Sequence, residues 1–353
     1  MKILALDLGK FKSVACEFET EKLKDEYETI RTTPEQLREL LRKRNPDRVV
    51  IEICPIAGWV SDLVRALGYE LQVASTNDEA ARWRKLKKKN DREDGRKLTR
   101  KSALGDLKLV HVPERKVRQW RALIVYRQQL VQRRTRIKNH LRSLLEREAL
   151  RLPSGKKCWT AAGISEMEQW ARPMAEVGME DLWRGELWLE LEGLKQVMEQ
   201  LHQVERKLDQ LGKADERVQR VQTIGGVGPR LSEAVVALID DPQRLQRGKN
   251  VGPYVGLTPK QHQSGETERL GRITRHGSKV VRSLLVEASW VGLRYNSYLR
   301  AIYLRVKRGS KSRRKIAIVA VARRLLIWCW AMLRDGTTWR PPYRLETYPT
   351  GKL

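Results

Sequence analysis

A chain of 353 residues with 71 Lys and Arg against 43 Asp and Glu carries a formal charge of +28. The length allows two or three domains with cores of their own. A charge so far above the about 2–8 that keeps a small domain soluble points to a polyanionic partner, nucleic acid first. The four cysteines, Cys16, Cys54, Cys158 and Cys329, show no Cys-x-x-Cys spacing and stand beside no histidine cluster. That argues against a zinc site or a disulfide framework and for a reducing cytosol. No signal peptide is read at the N-terminus.

Residues 2–8 read as a buried strand running into Asp7-Leu8-Gly9-Lys10, residues 13–19 as a second strand after a turn at Gly9, and Tyr27 to Arg31 as a weaker third. Thr33 then N-caps a helix with Pro34 in its first position. Arg48 to Ile53 is a continuous apolar strand of the kind buried on both faces. A short helix from Ser61 to Leu67 closes at Gly68, and Glu70 to Ala74 is the next strand. Strand and helix alternate here as in an α/β domain. The run Arg82 to Lys89 is almost wholly cationic and leads into Asn90-Asp91-Arg92-Glu93-Asp94. Leu107 to Val112 reads as a last strand, and Pro113 opens a long Arg-rich helix from Val117 to about Leu150.

A second long amphipathic helix runs from about Met179 to Leu211, with a loop and short helices between the two. The pair reads as a coiled-coil or bundle linker and as the oligomerisation device. After a break near Gly212 come Ile224-Gly225-Gly226-Val227-Gly228-Pro229 and an apolar helix through Ile239. Gly252 to Gly277 reads as a loop-dominated site, followed by helices near Lys279–Leu304 and Lys315–Leu333 and an irregular tail. The stretch from Ile316 to Leu333 is broken by Arg323 and Arg324, so it reads as a buried helix and not a membrane span. The resulting domains are 1–115, 116–215, 216–340 and a tail, 341–353.

Four acids stand out. Asp91 and Asp94 are three residues apart and share a face if their stretch is helical. Asp7 ends the apolar run Ile3 to Leu6, and Glu52 ends Val49 to Ile51. An acid at the end of a buried strand needs compensation. Several such carboxylates together suit Mg²⁺ or Mn²⁺ in phosphoryl transfer. Each acid taken singly also reads as a solvated carboxylate or a cap. Cations that can follow a phosphate backbone lie at Arg84, Lys87, Lys88 and Lys89, and at Arg133, Arg134 and Lys138 beside Arg127 and Arg136. Others are Arg269, Arg272 and Arg275, and Lys311 and Arg314 within a run from Arg305 to Lys315. Such contacts are blind to sequence, and no base-reading motif accompanies them.

Leu4-Ala5-Leu6-Asp7-Leu8-Gly9-Lys10 resembles the first strand of RuvC-type, ribonuclease-H-like nucleases. Val50-Ile51-Glu52 and Asn90-Asp91-Arg92-Glu93-Asp94-Gly95 resemble the DEDD insertion-sequence transposases of the insertion-sequence-one-ten family. That family is related to Piv-type DNA invertases and includes bridge-RNA-guided recombinases. The resemblance continues through Ile224 to Pro229, Val255-Gly256-Leu257-Thr258-Pro259, Ser264-Gly265 and Arg269 to Gly277. It implies a RuvC-like N-terminal domain, a helical coiled-coil linker and a mainly α-helical C-terminal transposase domain with a helix-hairpin-helix-like start. It carries Asp7, Glu52, Asp91 and Asp94 onto the acidic quartet and Ser264 onto the nucleophile. Two departures are visible, Gly95 where the family usually has Ala, and Gln263 where it often has a second Ser.

The implied activity is RNA-guided strand cleavage and exchange through a covalent phosphoserine. The implied partners are donor and target double-stranded DNA, a structured non-coding guide RNA and further copies of the chain, as a dimer or tetramer. The expected location is the cytoplasm of a bacterium or archaeon, with no membrane partner. The alternatives are a RuvC-like hydrolytic nuclease using the acids alone and a non-catalytic nucleic-acid-binding scaffold.

Overall fold

A computed structural model of the protein describes residues 1–75, 91–264 and 267–341. The chain divides into two compact units, Met1–Gln119 and Trp120–Leu353. The first is built on a five-stranded sheet. Strand β1 (Lys2–Leu8) pairs antiparallel with β2 (Lys12–Glu19), and β2 with β3 (Lys24–Arg31). On its other side β1 pairs in parallel with β4 (Arg48–Glu52), and β4 with β5 (Glu70–Ala74). The order is therefore β3-β2-β1-β4-β5. Parallel pairing requires crossovers, and these are α1 (Pro34–Arg44) and α2 (Ala57–Ala66). Thr33 caps α1 by accepting a hydrogen bond from the Gln36 amide.

Side chains alternate across a strand, so β1 and β4 divide their apolar residues between two faces. Leu4, Leu6, Val49 and Ile51 pack with Leu37, Leu41, Val60 and Val64 of α1 and α2. Ile3, Ala5 and Val50 point the other way, against Leu98 of α3 (Asp91–Leu104). Three layers result, with the two strands that are apolar on both faces in the middle.

Two expectations for this unit need correction. Helix α2 begins four residues ahead of Ser61. The strand expected at Leu107–Val112 is not formed; Leu109 makes a single bridge to Ala74. Lys108 and Val110 exchange one backbone hydrogen bond each with the edge of β5, at 2.9 and 2.8 Å. Leu109 then faces solvent, Val112 turns into the core and Pro113 has no N–H to continue a ladder.

The second unit holds two 33-residue helices, α4 (Arg115–Arg147, from Trp120 onward) and α6 (Leu182–Ala214). They run antiparallel. Arg127 meets Glu205 near one end, and His140 and Arg147 both meet Glu186 near the other. Leu130 packs with Val197 and Leu201, and Leu141, Leu144 and Leu145 with Leu187, Leu191 and Leu194. Helix α5 (Ala161–Trp170) adds Met167 to this second cluster. The apolar stripes read as an oligomerisation device thus meet each other inside one chain.

Beyond them lie α7 (Glu216–Gln222), α8 (Pro229–Ile239) and α9 (Gly248–Tyr254), then a hairpin of β6 (Pro259–Ser264) and β7 (Thr267–Ile273). Helices α10 (Lys279–Tyr295), α11 (Ser297–Lys307) and α12 (Arg314–Asp335) follow. The single helix expected over Lys279–Leu304 is broken at Asn296. Its buried side chain accepts from the Tyr298 and Leu299 amides and so caps a new helix. Helix α12 is long and apolar enough to cross a membrane by length and composition. Here it is the central core helix, with Val321, Ala322, Leu325, Leu326 and Cys329 fully buried among α7 to α11.

Candidate active site

The register of the sheet brings two acids together. Leu6 and Ile51 are partners in the parallel pairing of β1 and β4. Asp7 and Glu52 are each the next residue, so they stand side by side on the face that α3 covers. Both are half-buried.

The direction of α3 follows from its contacts. Near its C-terminal end, Ser102 accepts from Arg48, the first residue of β4, and its hydroxyl meets Gln72 at 2.8 Å. Nearer its N-terminal end, Gly95 lies against Cys16, the β2 partner of Ala5. The helix therefore runs against β1 and β4. From Gly95 to Asp91 it rises about 6 Å, and from Ala5 to Asp7 the strand advances about 6.6 Å. The first turn of α3, which carries Asp91 and Asp94, thus lies toward the end of the sheet face where β1 and β4 finish in Asp7 and Glu52. Asp94 is half-buried; the side chain of Asp91 is outside the described part. Arg96 and Arg100 anchor the outer flank of α3 to Asp25 of β3, at 3.0 and 3.4 Å.

Among the described residues, no group of three His, Cys, Asp or Glu side chains stands in a metal-holding arrangement. The donor set itself fits a hard divalent cation. It consists of carboxylates only, held on rigid strand ends and a helix turn, with no thiol or imidazole among them.

The stretch expected to be loop-dominated, Gly252–Gly277, is instead helix α9 and the β6–β7 hairpin. Its strands carry Lys260-Gln261-His262-Gln263, with no apolar alternation to announce them. Ser264 ends β6 and pairs with Thr267, next to the hairpin tip. Arg269 pairs with His262, two positions along from Ser264. Arg272 and Arg275 lie at the base of the hairpin, with Lys260 around a hollow of about 320 Å³. The extended strands therefore spread the three arginines that the sequence groups around Ser264. A register shift near Lys260 sets Gly271-Arg272 against a single residue, a β-bulge.

Arg282 stitches the hairpin base from beneath, donating to the Val255 and His276 carbonyls at 2.8 and 2.9 Å. Burial, then Arg275, pushes its guanidinium below the usual arginine range. The sequence carries no signal that marks this arginine. The Ile224–Pro229 turn packs onto α10. Gly226 has φ +92°, and a Cβ there would collide with the Gly292 backbone.

The remaining cations divide. Arg84, Lys87, Lys88 and Lys89 lie outside the described residues. Arg133, Lys311 and Arg314 are exposed and Arg134 is half-buried. Lys138 instead rests on the Trp159 ring at 4.6 Å, beside Arg142 at 5.2 Å, and burial lowers its pKa. Arg127 is committed to Glu205 at 2.6 Å.

A family model described as Transposase matches residues 4–149, which contain the four acids. A second, described as Transposase IS116/IS110/IS902 family, matches residues 218–304, which contain Ser264. The chain is similar to a probable family 20 transposase of Pseudomonas aeruginosa, 26% identical over 87% of this chain and 89% of the relative. It is similar to the transposase for insertion sequence element IS1111A of Coxiella burnetii, 28% identical over 71% and 68% of the two chains. The pilin gene-inverting protein of Moraxella lacunata is 29% identical over 38% of this chain and 42% of its own length. Sheet domain, helical domain and these matches together define a transposase. More narrowly, the chain belongs to the IS116/IS110/IS902 family of insertion-sequence transposases.

Proposed function

We propose that the protein cuts and rejoins DNA strands under RNA guidance, with Ser264 as nucleophile and Asp7, Glu52, Asp91 and Asp94 holding Mg²⁺ (or Mn²⁺). The observation that carries this reading is the meeting of three chain segments, the ends of β1 and β4 and the first turn of α3, at one end of one sheet face. The central strand pair and the three layers support a RuvC-like, ribonuclease-H-like first unit. When bound, a divalent ion supplies positive charge that polarises a phosphate oxygen. The carboxylates supply the hard, rigid donor set that selects such an ion.

Ser264 begins the exchange. Its Oγ attacks phosphorus and loses its proton; the Oγ–P bond forms as the bond to the leaving deoxyribose oxygen breaks, and that oxygen is protonated. The phosphodiester is conserved as a phosphoserine, so a hydroxyl from another strand can reverse the step without ATP. Arg269, two register positions away, offers charge to the phosphate. The hollow lined by Lys260, Arg272 and Arg275 offers a second anionic contact.

Guidance by a structured non-coding RNA rests on the resemblance and on the cation surplus. Donor and target duplexes make two substrates, which calls for two or four copies of the chain, in the cytoplasm of a bacterium or archaeon.

The test is a denaturant-resistant protein–DNA adduct. Wild-type protein with its copurified RNA, duplex DNA and Mg²⁺ is expected to form one. Ser264→Ala is expected to abolish it while leaving DNA binding intact; an adduct that persists in this variant overturns the nucleophile. Chelation with EDTA should stop cleavage and leave binding unchanged. Recombination that survives complete removal of RNA overturns guidance.

A further inference from the structure

Helix α10 turns one stripe to solvent. Its exposed positions Ser283, Glu287, Trp290, Val291, Arg294 and Tyr295 recur at three- and four-residue steps. A solvent stripe is ordinarily polar. Here Trp290 is 38% exposed, Val291 43% and Tyr295 71%, and Ile316 in the first turn of α12 is 59% exposed. The Trp290 ring and the Tyr295 backbone are held in place. Trp290 meets Tyr303 of α11 edge-on at 5.8 Å, and the Tyr295 backbone lies against the Gly225 turn. Cations accompany them. The Arg314 guanidinium lies 5.9 Å from the Trp290 centroid and the Lys307 ammonium 5.7 Å from that of Tyr303. No Asp or Glu occurs in the sequence between Glu287 and Asp335, while Lys and Arg recur throughout.

We propose that this face of α10 and the start of α12 is a stacking platform for unpaired nucleotides. The inference rests on the nucleic-acid reading above and narrows it. Exposed rings gain by covering the flat face of a base, and neighbouring guanidinium groups add cation–π and stacking contact with the same base. In a duplex those base faces are already covered by their neighbours, so a phosphate-only contact would use the cations and leave the rings idle. Glu287 lies at the far end of the stripe, and the carboxylate-free sequence from Ala288 to Arg334 suits a backbone of phosphates. An unpaired segment of RNA and a displaced DNA strand share this chemistry.

The experiment compares three probes of one sequence, a single-stranded DNA, a single-stranded RNA and a duplex, by fluorescence anisotropy on full-length protein. Trp290→Leu is expected to weaken both single strands about tenfold and to move duplex binding by less than about twofold. Trp290→Phe should restore most of the loss. Tyr295→Leu, whose ring is largely in solvent, should repeat the selective loss without lowering the melting temperature. Preference for RNA identifies a guide-type strand as the source, and preference for DNA a displaced strand.

Unchanged single-strand affinity in both Leu variants overturns the proposal, as does an equal loss on the duplex. Self-association lost in Trp290→Leu by sedimentation also overturns it, because a second copy then covers the face. Wild-type protein that binds the duplex but none of the single strands sinks the platform alone. Binding to no probe at all sinks the broader nucleic-acid reading with it.

Discussion

Carboxylates in this protein have opposite fates according to what surrounds them. Asp7, Glu52 and Asp94 are half-buried, and the proposed function gives them a cation to hold. Glu233 on α8 is 1% exposed, and neither of its carboxylate oxygens accepts a hydrogen bond. Burial pushes its pKa up to about 7, against the pull of Arg230 at 3.2 Å. Its ordinary value, and so its value in the unfolded chain, is 4.5. Between those two values the folded protein keeps a proton that the unfolded chain has lost. The stabilising term is therefore complete below pH 4.5 and is lost as pH rises through about 7. Its size is about 3 kcal/mol at about 1.36 kcal/mol per pH unit. Glu233→Gln carries no proton to lose, so its melting temperature should stay flatter across that window and exceed the parent's above neutrality. A variant that follows the parent's slope would refute this assignment. For the other class, Glu52→Gln or Asp94→Asn should cut strand-cleavage rate by more than about 100-fold. Anisotropy should find duplex affinity unchanged, and full cleavage would exclude the metal-holding role.

At the scale of the element, α3 decides whether the acids meet. A Cβ on Gly95 would stand 2.9 Å from the Cys16 Cβ, so the absence of a side chain sets how near the helix comes to β2. Gly95→Ala gains about 1 kcal/mol of helix propensity and meets overpacking of about 1–3 kcal/mol. The expected net is a loss of about 1 kcal/mol in denaturant melts and a larger relative loss of cleavage, because Asp94 shifts with the helix. Cys16→Ala keeps the offending Cβ and should not rescue the variant, whereas Cys16→Gly should; rescue by Cys16→Ala would discount the clash. This approach also shows where sequence reading stops. The ends of β1 and β4 were readable because Ile3–Leu6 and Val49–Ile51 are apolar runs that stop at an acid. The opposed direction of α3 was not, since it depends on Ser102 reaching Arg48 and Gly95 reaching Cys16 across the sheet. The hairpin beneath Ser264 was missed because Lys260 to Gln263 has no apolar period. The split at Asn296 was missed because Val291, Tyr295, Leu299 and Ile302 step by four, four and three residues through it, as one helix would.

Over the whole molecule, the charge of +28 overstates the surface offered to nucleic acid, because many arginines are spent on the fold. Arg121 donates to the Ala237 and Leu238 carbonyls at 2.6 and 2.8 Å, and Arg244 to those of Ile239 and Leu238. Both sit on the negative end of α8, and burial lowers the Arg121 pKa. Arg118 is paired with Asp62, Arg127 with Glu205 and Arg44 with Glu26 and Glu28. By contrast Arg269, Arg272, Arg275 and Lys311 are exposed. The two classes should separate in a salt titration. Each phosphate contact contributes about 0.9 to the slope of log K against log salt. Arg272→Gln with Arg275→Gln should therefore lower the slope for duplex DNA by about 2 and leave the melting temperature in place. Arg121→Gln should cost about 2 kcal/mol of stability through the vacated carbonyls and leave the slope unchanged. If Arg121→Gln reduces the slope as much as the double variant does, burial does not sort the cations and the charge acts as a diffuse field.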